Sequence, residues 1–233
     1  MTKKHYKHLF FDLDRTLWDF DSSSHHTFND LFTHYRLNDR GIPSVEDFLK
    51  VYNKFNEYYW DLYRKGLMEK AVLRGIRFGE TLKTFGVDDP ALAEEISEDY
   101  LYRSPRNVFL FPNTIETLDY LFGKVDIHLI TNGFEEVQTI KLDASGLRPY
   151  FTSIVTSEEA GVKKPDPAIF EFALQRAGAL ASESIMVGDD LEVDIIGAAN
   201  VGMDQVFFNP ERIEHEALPT IEIFDLKELI AYF

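Results

Sequence analysis

Cysteine is absent from the 233 residues, so the chain can form no disulfide and use no thiol nucleophile, which suits a reducing compartment. Positive charge is scarce: 24 Lys and Arg stand against 40 Asp and Glu, a formal net charge of -16. A field of that sign repels nucleic-acid backbones and anionic membrane surfaces, which argues against a polymeric nucleic-acid partner. It also disfavours small phosphates, so a phosphate site here must carry its own cation. Long apolar runs are missing too. After the basic start, Met1 to Lys7, the stretch Leu9-Phe10-Phe11 is broken by Asp12, too short for a signal sequence. No segment approaches the roughly 18 apolar residues of a membrane span. The expectation is a cytoplasmic protein with no membrane partner.

What is abundant is apolar and aromatic material, 45% and 14% of the chain, including 20 Phe and 11 Tyr. That composition builds a packed core rather than a disordered chain. The length suits one large domain or a core with a sizeable insertion. In the second half, short apolar runs alternate with amphipathic stretches: Ile127 to Ile130 then Glu135 to Ser145, Ser153 to Thr156 then Pro167 to Ala177. Ser184 to Val187, Glu192 to Asn200, Val206 to Phe208 and a last helix near Asp225 to Tyr232 continue the pattern. Strand and helix alternating in this way predict an α/β fold with a doubly wound parallel sheet, to which His8 to Phe11 adds a strand.

Between Trp18 and about Tyr102 no strand pattern appears. Phe48, Val51, Tyr52, Phe55, Tyr59 and Leu62 make the i, i+3, i+4, i+7 stripe of an amphipathic helix. Further helices are expected over Ser24 to Tyr35, Lys70 to Phe85 and Pro90 to Tyr102, with Gly41-Ile42-Pro43, Gly86 and Asp89-Pro90 as punctuation. A helical block after the first strand reads as an insertion. The expected division is a core of residues 1–17 and 105–233 and an α-helical bundle cap of residues 18–104.

Four features fall at the ends of expected strands. They are Asp12-Leu13-Asp14-Arg15-Thr16, Thr131-Asn132-Gly133, Lys163-Lys164-Pro165-Asp166-Pro167, and Gly188-Asp189-Asp190 leading to Asp194. Ligands of open α/β sheets bind at the carboxyl ends of strands. Each feature alone has a structural explanation: solvated carboxylates at a strand exit, an Asn-Gly turn, a proline near a helix start, a turn with an N-cap. An EF-hand reading of Asp12-x-Asp14 fails, because Leu17 takes the sixth position and Ser23 the twelfth. His5, His8, His25 and His26 lack a transition-metal spacing and suit packing or surface roles.

In this order and at strand ends, the four features resemble the motifs of the haloacid dehalogenase superfamily. The likeness is close over Leu9 to Thr16 and Ile127 to Gly202, and the insertion resembles the helical cap of many members. The resemblance implies a Rossmann-like core and a phosphatase acting on a small phosphorylated metabolite. Asp12 would be the nucleophile and Asp14 the general acid and base. Thr131, the backbone near Leu13 and Asn132, and Lys164 would bind the phosphoryl group. Mg²⁺ would be held by Asp12, Asp14 and Asp189, with Asp194 and, less strongly, Asp190 in support. Physics agrees that converging carboxylates need a cation: about 4 Å apart at an effective dielectric near 20, each pair repels by roughly 4 kcal/mol. A hard, oxygen-liganded Mg²⁺ suits them.

Many relatives have Gly after the second motif-one Asp, where this chain has Arg15. Arg15 either makes the cleft more basic or pairs with a surface acid. Dehalogenation, which needs neither the second Asp nor a metal, suits the motifs less well. The strings Leu17-Trp18-Asp19-Phe20-Asp21-Ser22, Thr131-Asn132-Gly133-Phe134 and Ser157-Glu158-Glu159-Ala160-Gly161-Val162 resemble bacterial pyrimidine 5′-nucleotidases, which implies a nucleotide substrate. Trp18 and Phe20 are candidate base-stacking residues, with packing as the stronger alternative. A phosphosugar phosphatase or mutase, or a non-catalytic binding protein on the same scaffold, stays open at this stage.

Overall fold

The computed structural model describes residues 4–233; the first three residues of the basic N-terminal stretch lie outside them. Six strands form one parallel sheet: β1 (His8–Phe11), β2 (Asp126–Thr131), β3 (Ser153–Thr156), β4 (Ser184–Gly188), β5 (Asp204–Phe208) and β6 (Ile221–Ile223). Their spatial order is β3-β2-β1-β4-β5-β6, the Rossmann order, whose switch point falls between β1 and β4. Phe11 is in register with Leu129 on one side and Val187 on the other. Residues that follow β1 and β4 therefore emerge side by side.

Both faces of the sheet are covered, and strand alternation decides which residue goes where. Leu9, Phe11, Ile127, Leu129, Ile185 and Val187 point to one apolar cluster, shared with Leu118, Leu142, Leu226 and Leu229. Phe10, Ile130 and Met186 point to the other, against Ile169, Phe170 and Ala173. All three strands are buried throughout their centres, as their near-continuous apolar sequences require.

The helices, in chain order, are α1 (Phe20–His34), α2 (Val45–Arg64), α3 (Lys70–Thr84), α4 (Pro90–Arg103), α5 (Thr114–Leu121), α6 (Glu135–Ser145), α7 (Ser157–Ala160) and α8 (Pro167–Ala177). A π-helical turn at Leu191–Ile196 stands where the sequence suggested the start of an ordinary helix. The last helix is a 3₁₀ segment, Leu226–Tyr232. Helix α5 and strand β6 were not visible in the sequence pattern, being only 8 and 3 residues long.

The chain divides into two compact units, Met1–Phe20 with Val108–Phe233, and Asp21–Asn107. The second is helical throughout its regular structure. Its core is aromatic: Phe28 lies 4.6 Å from Tyr52, 4.9 Å from Tyr100 and 5.4 Å from Phe48 between ring centroids. Helix α2 starts on Ser44, whose hydroxyl accepts the Asp47 N–H, and α4 on Asp89 followed by Pro90. Among the described residues no helix is long and apolar enough to cross a membrane.

Candidate active site

Asp12 is the residue after β1, and its N–H continues the ladder to the Val187 carbonyl at 2.9 Å. The strand therefore fixes the aspartate at the switch point of the sheet. Lys164 Nζ, on the loop between α7 and α8, lies 2.5 Å from Asp12 Oδ1 and 2.6 Å from Asp194 Oδ1. All three side chains are buried. Asp194 reaches this point from the π-helical turn, in which the Ile195 N–H returns five residues to the Asp190 carbonyl. Gly188 makes room: a Cβ there would sit 2.3 Å from Asp194 Oδ2, so any side chain would evict the carboxylate.

Burial raises the Asp12 carboxyl, Lys164 opposes the rise and Asp194 adds to it, and the balance lies at about 7. Loss of water also raises Asp194, against the pull of Lys164. Asp189, one residue beyond β4, is raised well above the ordinary value by the same loss of water and by Asp194 and Asp12, with Arg15 acting against them. Burial alone would depress Lys164, but its two carboxylate partners outweigh this and keep it an ammonium ion. One ammonium thus serves two carboxylates, and Asp189 adds a third negative group beside them. Oxygen atoms of Asp12, Asp189 and Asp194 lie within 4.8 Å of one another, and these are the three acids among the described residues placed to share a cation. An all-oxygen donor set with excess negative charge fits a hard divalent ion such as Mg²⁺.

The carboxylate of Asp14 does not join that group, and this corrects the expectation that its side chain holds the metal. Its two oxygens are taken by α6: Lys141 Nζ pairs with Oδ1, and Gln138 Nε2 donates to Oδ2 at 2.7 Å. The same Gln138 nitrogen donates to Thr131 Oγ1 at 2.9 Å, and the Gly133 N–H adds a second bond to that oxygen at 3.0 Å. Lys141 and Gln138 escaped the sequence reading. The available signal was their i, i+3 spacing on the buried face of a helix directly after Thr131-Asn132-Gly133. Thr16, quoted as part of the first motif but given no role, donates to Asp189 Oδ1 at 3.3 Å.

Other expected residues have different duties from those foreseen. The Asn132 side chain bonds both the N–H and the carbonyl of Lys164, at 2.8 and 2.9 Å, so it positions that lysine, a duty separate from the backbone N–H expected to meet a phosphate. Asp190 Oδ1 accepts the N–H groups of Glu192 and Val193, each at 2.9 Å. It is the N-cap of the π-helical turn, and its own N–H meets Asp194 Oδ2 at 3.3 Å. Trp18 is fully buried, which removes it as a base-stacking residue. Its ring instead lies 5.3 Å from Lys141 Nζ. Phe20 is half-buried, with the Arg15 guanidinium 4.8 Å and Lys141 Nζ 5.5 Å from its ring. Arg15, at φ 65°, thus lies over an aromatic face near Asp189.

These observations describe a largely buried, acidic cluster at a strand switch point, with the Lys164 ammonium fixed between two carboxylates and a hydroxyl aimed by its neighbours. Comparison with known proteins finds the same arrangement of chain elsewhere. A family model described as haloacid dehalogenase-like hydrolase matches residues 6–202. The pyrimidine 5′-nucleotidase PynA of Streptococcus pneumoniae is 30% identical over 230 residues, covering 97% of this chain and 94% of its own. The pyrimidine 5′-nucleotidase YjjG of Escherichia coli is 33% identical over 224 residues, 95% of each. Among solved structures, the magnesium-bound HAD-hydrolase YfnB of Bacillus subtilis aligns over 98% of both chains at 28% identity, with a TM-score of 0.87.

Proposed function

The chain belongs to the haloacid dehalogenase-like hydrolases, and on that premise we propose that it is a Mg²⁺-dependent phosphatase of nucleoside 5′-monophosphates, working through an aspartyl-phosphate on Asp12. One observation carries the reading. Asp12, buried at the end of β1, shares a pocket with Asp189, Asp194 and the Lys164 ammonium, and Asp14 stands two residues away. A nucleophile, a proton carrier and cationic phosphate ligands are thereby within one loop's reach of each other.

Bound by Asp12 and Asp189, with Asp194 at its side, Mg²⁺ would neutralise the excess carboxylate charge and polarise a phosphoryl oxygen. Lys164 supplies the second cation at the phosphoryl group, where charge accumulates in the transition state. Thr131, already accepting two N–H bonds, has its own O–H left to donate to a phosphoryl oxygen. A carboxylate oxygen of Asp12 attacks phosphorus; the P–O bond to the leaving group breaks, and protonated Asp14 gives that oxygen its proton. In the second displacement Asp14, now ionised, takes a proton from water as the water oxygen attacks phosphorus. The P–O bond to Asp12 then breaks, releasing phosphate and restoring both carboxyls.

Support for a nucleotide as the substrate, with the nucleoside as leaving group, comes from the two relatives named pyrimidine 5′-nucleotidases, each similar over nearly its whole length. The strings Thr131-Asn132-Gly133-Phe134 and Ser157 to Val162 point the same way. The test is phosphate release from nucleoside 5′-monophosphates and from sugar phosphates, with Mg²⁺ and with chelator. Mg²⁺-dependent release that is fastest from nucleoside 5′-monophosphates is the expected result. Interconversion of sugar phosphates with little release would replace hydrolysis by a mutase reaction, and silence toward every compound in folded protein would end the enzymatic reading.

A further inference from the structure

The Asp14 carboxylate is gripped from one helix face. Gln138 and Lys141 are 1% and 3% exposed, three residues apart on α6, and each takes one Asp14 oxygen. The lysine has little freedom to do anything else, since its ammonium also lies against the Trp18 and Phe20 rings. The glutamine is equally committed. Turning its amide over would aim the carbonyl oxygen at a carboxylate, so Nε2 faces Asp14 and Thr131, and Oε1 is left buried with no hydrogen-bond partner among the described residues. An orphaned buried acceptor is costly, and a purely structural contact at this position would be better made by an apolar side chain. Gly133 gives up its side chain for the same amide, because a Cβ there would fall 1.7 Å from Gln138 Nε2.

Resting on the phosphatase reading, we propose that Lys141 and Gln138 are positioning residues for proton transfer: together they hold the Asp14 carboxyl, and through Gln138 tie it to the phosphate-binding hydroxyl of Thr131. The acid and base and the phosphoryl ligand are then set at one fixed separation by α6 as well as by the loop after β1. An Asp14 carboxylate offers about four acceptor positions, of which these two bonds fill two. With 28% of its side chain exposed, the remainder faces the leaving-group oxygen and later the attacking water.

The consequence is a dependence on the leaving group. A nucleoside alkoxide must be protonated as it departs, whereas p-nitrophenolate leaves without help. Lys141→Met, nearly isosteric and uncharged, should lower kcat on uridine 5′-monophosphate by about 10²–10³-fold, the range for a lost acid or base, with KM little changed. On p-nitrophenyl phosphate the same variant should still phosphorylate Asp12. It should give a burst of p-nitrophenol equal to the enzyme concentration, followed by slow turnover, because the water step still needs Asp14. Gln138→Leu should show the same pattern more weakly, and Lys141→Arg should restore much of the loss. Asp14→Asn and Asp14→Asn with Lys141→Met should be equally slow within about threefold, since Lys141 acts only through Asp14.

Equal losses on both substrates without a burst, or a full further loss from Lys141→Met in the Asp14→Asn background, would overturn the proposal. Either result would leave the phosphatase reading intact if the parent enzyme turns over both compounds. A parent that releases phosphate from neither would instead remove the reading on which the proposal stands.

Discussion

In the α/β unit the buried charges are Asp12, Lys141, Lys164 and Asp194, and all four converge by ion pairs on the carboxyl ends of β1, β2 and β4. In the helical unit the buried charge is Arg77. Among the described residues it bonds neutral acceptors, Asn56 Oδ1 at 2.6 Å and the Leu73 carbonyl at 2.9 Å, and lies near the faces of Tyr52 and Phe78. The first arrangement leaves negative charge uncompensated and invites a cation and a phosphate. The second is closed on itself. Burial of charge therefore has two meanings in one chain, and mutations separate them: a neutral isostere in the α/β site should cost activity and spare stability, and an apolar deletion in the helical unit should do the reverse.

The sharpest test of that contrast is Asp12→Asn. It should reduce turnover by on the order of 10⁴-fold or more, as loss of a nucleophile does, while the metal-free protein melts no lower than the parent. A folded variant with undiminished activity would refute Asp12 as nucleophile. Phe28→Ala, in the aromatic core of the helical unit, should cost about 3–5 kcal/mol. Hydrogen exchange should localise the loosening to residues 21–107; equal loosening of the α/β unit would show that the two regions do not differ in the way described.

The acidic pocket makes a smaller, pH-dependent prediction. Folded, metal-free protein holds protons on Asp12, Asp189 and Asp194 that the unfolded chain has already lost, because all three carboxyls are raised. Stability should therefore fall as pH rises from the ordinary carboxylate value of 3.8 to about 7, the span over which Asp12 is raised. Mg²⁺ should raise Tm more at pH 8 than at pH 5. Asp189→Asn should melt higher than the parent at pH 8 without metal, by about 2–4 °C for each kcal/mol relieved, and gain little from Mg²⁺. Identical melting of parent and variant at pH 8, with or without Mg²⁺, would sink the charge argument.

The α/β architecture was legible because parallel strands buried on both faces are short continuous apolar runs, and three of the four chemical motifs followed such runs directly. Ser153 to Thr156, Glu135 to Ser145 and Pro167 to Ala177 end where the pattern says they end. What sequence did not show is side-chain direction. Nothing in Asp12-Leu13-Asp14 says that the first carboxylate faces Lys164 and the second faces α6, because that depends on Arg15 at positive φ and on a helix more than a hundred residues later. Lys141 and Gln138 looked like ordinary polar residues of an amphipathic helix, and only the packed structure shows them on its inner face. Trp18 is the opposite case: proximity to the motif-one loop made it a candidate ligand contact beside the stronger packing alternative, and complete burial settles on packing, with its ring as a wall for Lys141.

The smallest effect gives the cleanest contrast, because the two units each contain an N-cap of the same chemistry. Ser44 accepts the Asp47 N–H at the start of α2, at 3.0 Å, and Asp190 accepts two N–H groups at the start of the π-helical turn. Ser44→Ala and Asp190→Ala should each cost about 1 kcal/mol of stability, the usual value of a lost cap. Their effects on catalysis should differ. The Asp190 N–H also contacts Asp194 Oδ2 at 3.3 Å, and Asp194 holds Lys164, so a frayed turn moves the ammonium off Asp12. Asp190→Ala should therefore lower kcat where Ser44→Ala leaves it unchanged. Asp190→Asn, which keeps a capping oxygen and removes only the charge, should recover both stability and rate. If Asp190→Asn is as slow as Asp190→Ala, the carboxylate charge itself serves the reaction, and Asp190 belongs with the acidic pocket after all.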